Sequence, residues 1–190
     1  MSDQGRERTA PATAGWRWSL LLAGVTLAGF VLHEAAHWLA GSLLGYDMRM
    51  SLGRAWPAQG AFGSVGDETV VSAAGPTFTV VVAVVGTCIA LVGKQVWAYT
   101  LVFSAVFMRA VAFGVSLFNP NDEARISVTL GWPWWVLPAF VVGLLLMLAV
   151  VDSRALRIGW KTHLVAYATG SVVIAAIILL DGQMPGMTGD

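Results

Sequence analysis

His33-Glu34-Ala35-Ala36-His37 is the segment of this chain with the clearest capacity for chemistry. On an α-helix, two histidines four positions apart stand one turn apart and face the same way, so both imidazoles can reach one tetrahedral ion. Glu34 is rotated about 100° from His33 on such a helix. It then stands beside the ion without binding it, placed to take a proton from an activated water. HExxH on a helix is the ligand pair and general base of a zinc hydrolase. The flanking residues 23–32 and 38–44 are apolar enough to read as bilayer. Ionisable side chains are costly in that setting and mark functional sites. The competing reading is a histidine pair satisfied by other polar groups of a helix bundle. The expectation is one Zn2+ per chain, Glu34 as catalytic base, and hydrolysis within or at the edge of a membrane.

A catalytic zinc site needs a third protein ligand and an open position. The one other histidine, His163, falls on the opposite membrane face if the apolar spans alternate, and is expected to be interfacial or solvated. The third ligand should then be a carboxylate, and Asp47, Asp67, Glu68, Asp122 and Glu123 lie on the correct side. Asp122 is preferred. Pro120 ends the helix before it and disfavours helical geometry at Asn119, which frees backbone to line a cavity. The alternative is an Asn-Pro turn in which Asp122 caps the next helix. Asn119 and Asn121 suit an oxyanion donor or substrate-positioning role, and suit a plain turn equally.

The elements that must hold these residues follow from composition. Of 190 residues, 57% are hydrophobic and 12% charged, against about 25% charged in soluble domains. Five apolar stretches approach the roughly 20 residues a bilayer span needs: 16–44, 70–92, 97–117, 134–151 and 164–180. Tryptophans 16, 18, 97, 132, 134, 135 and 160 mark their ends, as an interfacial belt would. The predicted fold is an all-α polytopic membrane protein of about five transmembrane helices, with a short β-hairpin-like segment between the first and second. Residues 16–181 form one membrane-embedded domain, between flexible polar tails at 1–15 and 182–190. The first span outlasts a signal-peptide core and carries the HExxH motif, so it is expected to be retained. Within 45–68, the alternating pieces Met48-Arg49-Met50-Ser51-Leu52 and Ala61-Phe62-Gly63-Ser64-Val65 read as short strands. The link Gly93-Lys94-Gln95 makes spans two and three antiparallel neighbours, and 118–131 is a polar break. Cys88 is expected to be a small packed hydrophobe. The lipid bilayer is one partner, and zero net charge gives no reason to expect nucleic acid.

His33-Glu34-Ala35-Ala36-His37 resembles the HExxH of the site-two protease family of intramembrane zinc metalloproteases. Ala73-Ala74-Gly75-Pro76, opening the second span, is similar to the family's AGP pattern. Asn119-Pro120-Asn121-Asp122-Glu123-Ala124-Arg125 resembles a variant of its later Asn/Pro…Asp-Gly-Gly-Arg motif. The motif order on spans one, two and three also matches, and the resemblance covers roughly residues 24–125. It implies metal binding by His33, His37 and Asp122, with Arg125 at the motif's arginine. Three departures bear on substrate positioning and oxyanion stabilisation: Glu123-Ala124 stands for Gly-Gly, Thr79 for the asparagine after AGP, and an upstream asparagine is missing. The short 93–95 link leaves no room for the PDZ domain that some relatives carry there. The charge distribution favours a cytoplasmic N-terminus. The resemblance implies the reverse and is preferred.

Residues and resemblance together lead to an intramembrane metalloendopeptidase that cuts transmembrane or membrane-proximal segments of a membrane protein substrate. A regulatory membrane partner and a cell-membrane location are further expectations. Met48, Arg49, Met50, Ser51 and Leu52 suit strand addition, in which an unwound substrate pairs with an exposed edge. The alternative function is a non-proteolytic, metal-binding membrane regulatory protein. A metal transporter is less favoured, because no ladder of Asp, Glu and His marks a pathway.

Overall fold

The computed structural model describes residues 15–181. Most of both polar tails therefore lies outside the described residues. Six α-helices carry the fold: α1 (Trp16–Leu43), α2 (Val65–Gly93), α3 (Tyr99–Val115), α4 (Asp122–Thr129), α5 (Val136–Ala155) and α6 (Trp160–Asp181). A 3-10 turn, Val96–Ala98, leads into α3. Two strands, β1 (Met48–Met50) and β2 (Ala55–Pro57), pair antiparallel between α1 and α2. The expected all-α polytopic fold with a short hairpin is the one observed.

Five of the helices are long and apolar enough to cross a membrane. Their outer faces expose leucine, valine and isoleucine along their lengths, as at Leu20, Leu27, Val81, Val85, Val172 and Ile178. An apolar surface of that extent is tolerated against lipid and not against water. The chain is thus a multi-pass membrane protein.

Helices α1, α2 and α3 pack on one another, α5 lies against α2 and α3, and α6 against α1 and α3. Small side chains allow the close α2–α3 approach. A Cβ on Gly86 would stand 3.0 Å from Leu101 Cβ and 3.0 Å from Val102 Cγ2. Close packing on small residues is how helices associate where no hydrophobic force acts between them.

The observed fold corrects four expectations. First, α2 begins at Val65 rather than residue 70. Ser64 Oγ accepts from the Asp67 N–H at 3.0 Å, and Asp67 and Glu68 suit the positive end of the helix dipole. Ala73-Ala74-Gly75-Pro76 consequently lies inside α2 and does not open it. Second, the partner of β1 is Ala55–Pro57, in the register Met48↔Pro57, Arg49↔Trp56, Met50↔Ala55. Residues 61–64 are irregular, and Val65 begins α2. They are held instead by Tyr46, whose hydroxyl donates to Asp67 Oδ2 at 2.7 Å and accepts from the Gly63 N–H at 2.7 Å. The bond to Asp67 raises the Tyr46 pKa above its ordinary value. Third, the polar break at 118–131 contains α4. Fourth, Cys88 is exposed, on the outward face of α2 with Val81, Val84 and Val85.

Candidate metal centre

His33, Glu34 and His37 lie in the second half of α1, all buried. Leu43, the helix end, lies six positions after His37, about 9 Å along the axis at 1.5 Å per residue. Asp122 arrives from α4. Asn121 caps that helix, its Oδ1 accepting from the Ala124 N–H at 3.4 Å, so Asp122 is the first helical residue and not the cap. Its carboxylate then reaches across to α1.

Three acceptor atoms converge there. His33 Nε2 and His37 Nε2 are 3.2 Å apart. Asp122 Oδ2 is 3.2 Å from the first and 3.3 Å from the second. The other nitrogen of each ring shows how the rings are oriented. His37 Nδ1–H donates to the Val71 carbonyl at 2.6 Å. His33 Nδ1 lies 3.0 Å from Thr79 Oγ1, and that hydroxyl itself donates to the Gly75 carbonyl at 3.0 Å. Thr79 is therefore the acceptor and His33 Nδ1 the donor. Both imidazoles keep their protons on Nδ1, and both Nε2 lone pairs point at Asp122 Oδ2. Three acceptors this close suit a cation placed among them. Second-partner bonds of this kind are what orient ligating histidines. His33, His37 and Asp122 thus form a buried group able to hold a metal ion.

The remaining carboxylate oxygen of Asp122 is occupied elsewhere. Arg125 Nη2 donates to Oδ1 at 2.9 Å and to Ser72 Oγ at 3.3 Å, which bridges α4 to α2 and leaves Oδ2 facing the histidines. Helix α2 covers the same side of the cluster at very close range. A Cβ on Gly75 would come within 2.5 Å of His33 Cε1 and 2.6 Å of His33 Nε2, and would meet His37 Nε2 as well. Pro76 supplies no N–H to the Ser72 carbonyl, so the helical ladder is one bond short in the turn beside these rings. Glu34 is 7% exposed, and among the described residues its carboxylate makes no side-chain hydrogen bond.

The other residues singled out from sequence are placed as follows. Asn119 is exposed. Asn121 caps α4 through Oδ1, while its Nδ2 is buried without a protein partner, which leaves a donor for a bound group. Met48 is buried, and its carbonyl accepts from Trp38 Nε1–H at 3.0 Å, so that stretch of the β1 edge is already used. Arg49 and Met50 are exposed, and the Ser51 N–H bonds the Arg54 carbonyl at 2.8 Å across the hairpin turn, next to Leu52. His163 serves the far end of the bundle. Its Nδ1 lies 3.2 Å from Tyr99 Oη and its Nε2 3.0 Å from Ser153 Oγ.

Sequence reasoning passed over two neighbours of the cluster. Arg109, inside α3 and 5% exposed, donates from Nη1 to both oxygens of Glu123 at 3.1 and 3.2 Å. The same atom lies 3.5 Å from Asp122 Oδ2, and Nη2 lies 3.4 Å from His33 Nε2. Glu123 is 2% exposed. An arginine inside an apolar span requires a buried acid, and that rule could have sent the search to Glu123. Arg109 and Arg125 thus set two fixed positive charges against the carboxylates of Asp122 and Glu123. Thr79, singled out from sequence only as a departure from the family's asparagine, is the other, because its bond to His33 was not foreseen. Thr79→Val keeps the shape and removes the acceptor for His33 Nδ1–H. We expect metal affinity to fall roughly 10- to 100-fold, measured by competition with a chelator. Wild-type affinity in that variant would show that Thr79 does not orient the ring.

No protein-family model, no curated protein and no solved structure matches this chain.

Proposed function

We propose that this protein is an intramembrane zinc metalloendopeptidase that hydrolyses peptide bonds in transmembrane or membrane-proximal segments of membrane protein substrates. The observation that carries the reading is the triangle of His33 Nε2, His37 Nε2 and Asp122 Oδ2, with edges of 3.2, 3.2 and 3.3 Å. Tetrahedral zinc with bonds of roughly 2.0–2.1 Å places its ligand atoms about 3.3–3.4 Å apart. Two imidazoles and one carboxylate suit zinc better than the oxygen-seeking magnesium or calcium. Three protein ligands leave the fourth position open, as in catalytic rather than structural zinc sites. The ion, when bound, supplies Lewis-acid polarisation of the scissile carbonyl and acidifies the attacking water.

The chain's own residues do the rest. Glu34 has no competing side-chain partner, so its carboxylate is available to take the proton of the attacking water and return it to the departing amine nitrogen. Thr79 and the Val71 carbonyl hold the two rings, and Arg125 holds the carboxylate. Asn121 Nδ2 offers a donor for a substrate carbonyl. The exposed part of β1 around Met50 offers main-chain groups to an unwound substrate. Burial of the cluster among α1, α2 and α3 keeps bulk water away, which strengthens each of these interactions. The approach of the Ala73–Pro76 and Asp122 segments to the HExxH helix supports this reading. A cell-membrane location and a regulatory membrane partner belong to the same reading.

The test is cleavage of a single-span substrate by the purified protein in liposomes. Cleavage should disappear on chelation and return with about one equivalent of zinc per chain. Stoichiometric metal binding without cleavage of any membrane segment would replace the protease with a metal-binding regulatory protein.

A further inference from the structure

Arg109 is built as more than a counter-charge. A guanidinium carries five N–H groups, and burial normally requires each to find an acceptor. Here the groups are divided. Nη1 is anchored on both oxygens of Glu123 and lies near Asp122 Oδ2. Nε is buried with no partner at all. Nη2 meets a ring nitrogen, His33 Nε2, at 3.4 Å, a long contact to an atom whose lone pair belongs to the metal cluster. Nε and Nη2 form one edge of the guanidinium plane, the edge with which arginine grips a two-oxygen anion. Once a cation takes the His33 lone pair, that edge has no acceptor left in the protein. It then lies beside the coordination sphere with its donors unfilled. Glu123 offsets the charge, so the donors stand next to a cation without a net positive group opposing the ion.

We propose that Arg109 is the anion-binding arm of this centre. Its Nε–Nη2 edge receives the substrate oxygen on which negative charge develops during hydrolysis, while Nη1 stays anchored on Glu123. The proposal rests on the hydrolytic reading above and adds a residue that reading does not need. It also gives a purpose to the Glu123 side chain, which a structural turn would not require. The arm acts by hydrogen bonding alone and transfers no proton, because arginine keeps its charge throughout.

The experiment uses the full-length protein in lipid nanodiscs with Co2+ in place of zinc, and acetate as the probe. Acetate binding is read from the visible ligand-field bands. Removing Arg109 alone would strand Glu123, so the main variant is the neutral double substitution Arg109→Gln with Glu123→Gln. We expect it to bind one Co2+ per chain with the wild-type spectrum, while acetate affinity falls roughly 10- to 100-fold, the worth of a hydrogen bond to a charged group. On a membrane substrate, kcat should fall with KM little changed, since the interaction strengthens in the transition state. Arg109→Lys keeps a charge but loses the planar edge, and should recover only part of the acetate affinity. Unchanged acetate affinity in the double variant overturns the proposal whatever the kinetics show. Loss of Co2+ from both variants also overturns it, by making the pair part of the metal-holding framework. Weakened acetate binding together with a wild type that cleaves nothing supports the anion arm and refutes the protease.

Discussion

Glu34→Gln is expected to abolish cleavage and leave the metal in place. The substitution keeps the size and shape of the side chain and removes its basicity. Glu34 is buried beside the cluster, and no described side chain bonds its carboxylate, so the change breaks no structural contact. The three metal-facing atoms belong to other residues. A positioned general acid–base contributes roughly 100- to 10,000-fold, and in the proposed mechanism one group serves both proton transfers. The rate should therefore drop by at least that range while metal content stays at about one per chain. The comparison requires both measurements on the same preparation. Retained cleavage would remove Glu34 from the mechanism. Loss of metal along with activity would show that it serves the metal rather than the water.

Gly75→Ala should be nearly as damaging, by a different route. The added methyl would meet both metal-facing histidine nitrogens, one of them at 2.6 Å. Neither ring can retreat freely, because His37 is tied to the Val71 carbonyl and His33 to Thr79 on the same helix. Something in the triangle must open, and we expect metal affinity to fall by roughly 100-fold or more, at or beyond the upper range of second-partner substitutions. Alanine is about 1 kcal/mol better than glycine in a helix interior, so α2 itself gains. Loss of metal with unchanged helicity is thus the specific outcome. Wild-type metal affinity would show that α2 can move aside and that the close approach is not required.

The five membrane helices were legible because length and apolarity are properties of each segment alone. Their ends were less so. The start of α2 depends on Ser64 and two acidic residues, which a hydropathy reading treats as loop. The short α4 and strand β2 were missed for a related reason, since eight and three residues carry too little periodicity to stand out. Within the site, His33, Glu34 and His37 announce themselves by spacing on one helix. Elimination of the third histidine left five carboxylates, and Asp122 was preferred among them for the Pro120 break and the resemblance. Thr79, Gly75 and the Arg109–Glu123 pair were not reachable in that way. Each acts on a residue of another element, and only the packing of α1 against α2, α3 and α4 brings them together. Thr79 and Glu123 looked like losses when set beside the resembling family. In the folded chain, one is a hydrogen-bond acceptor for a ring and the other is an anchor for an arginine.

The charges of the centre are spread over α1, α3 and α4, and this has a bearing on biosynthesis. Glu34 leaves the ribosome with the first span, 75 residues ahead of Arg109 and further still ahead of Asp122. A lone α1 would enter lipid carrying a carboxylate and two imidazoles with nothing to offset them. The first three spans therefore favour release into the bilayer together, with the short helix α4 closing the cluster last. On the proposed reading, metal loading has to wait for α4, while α5 and α6 are still to follow.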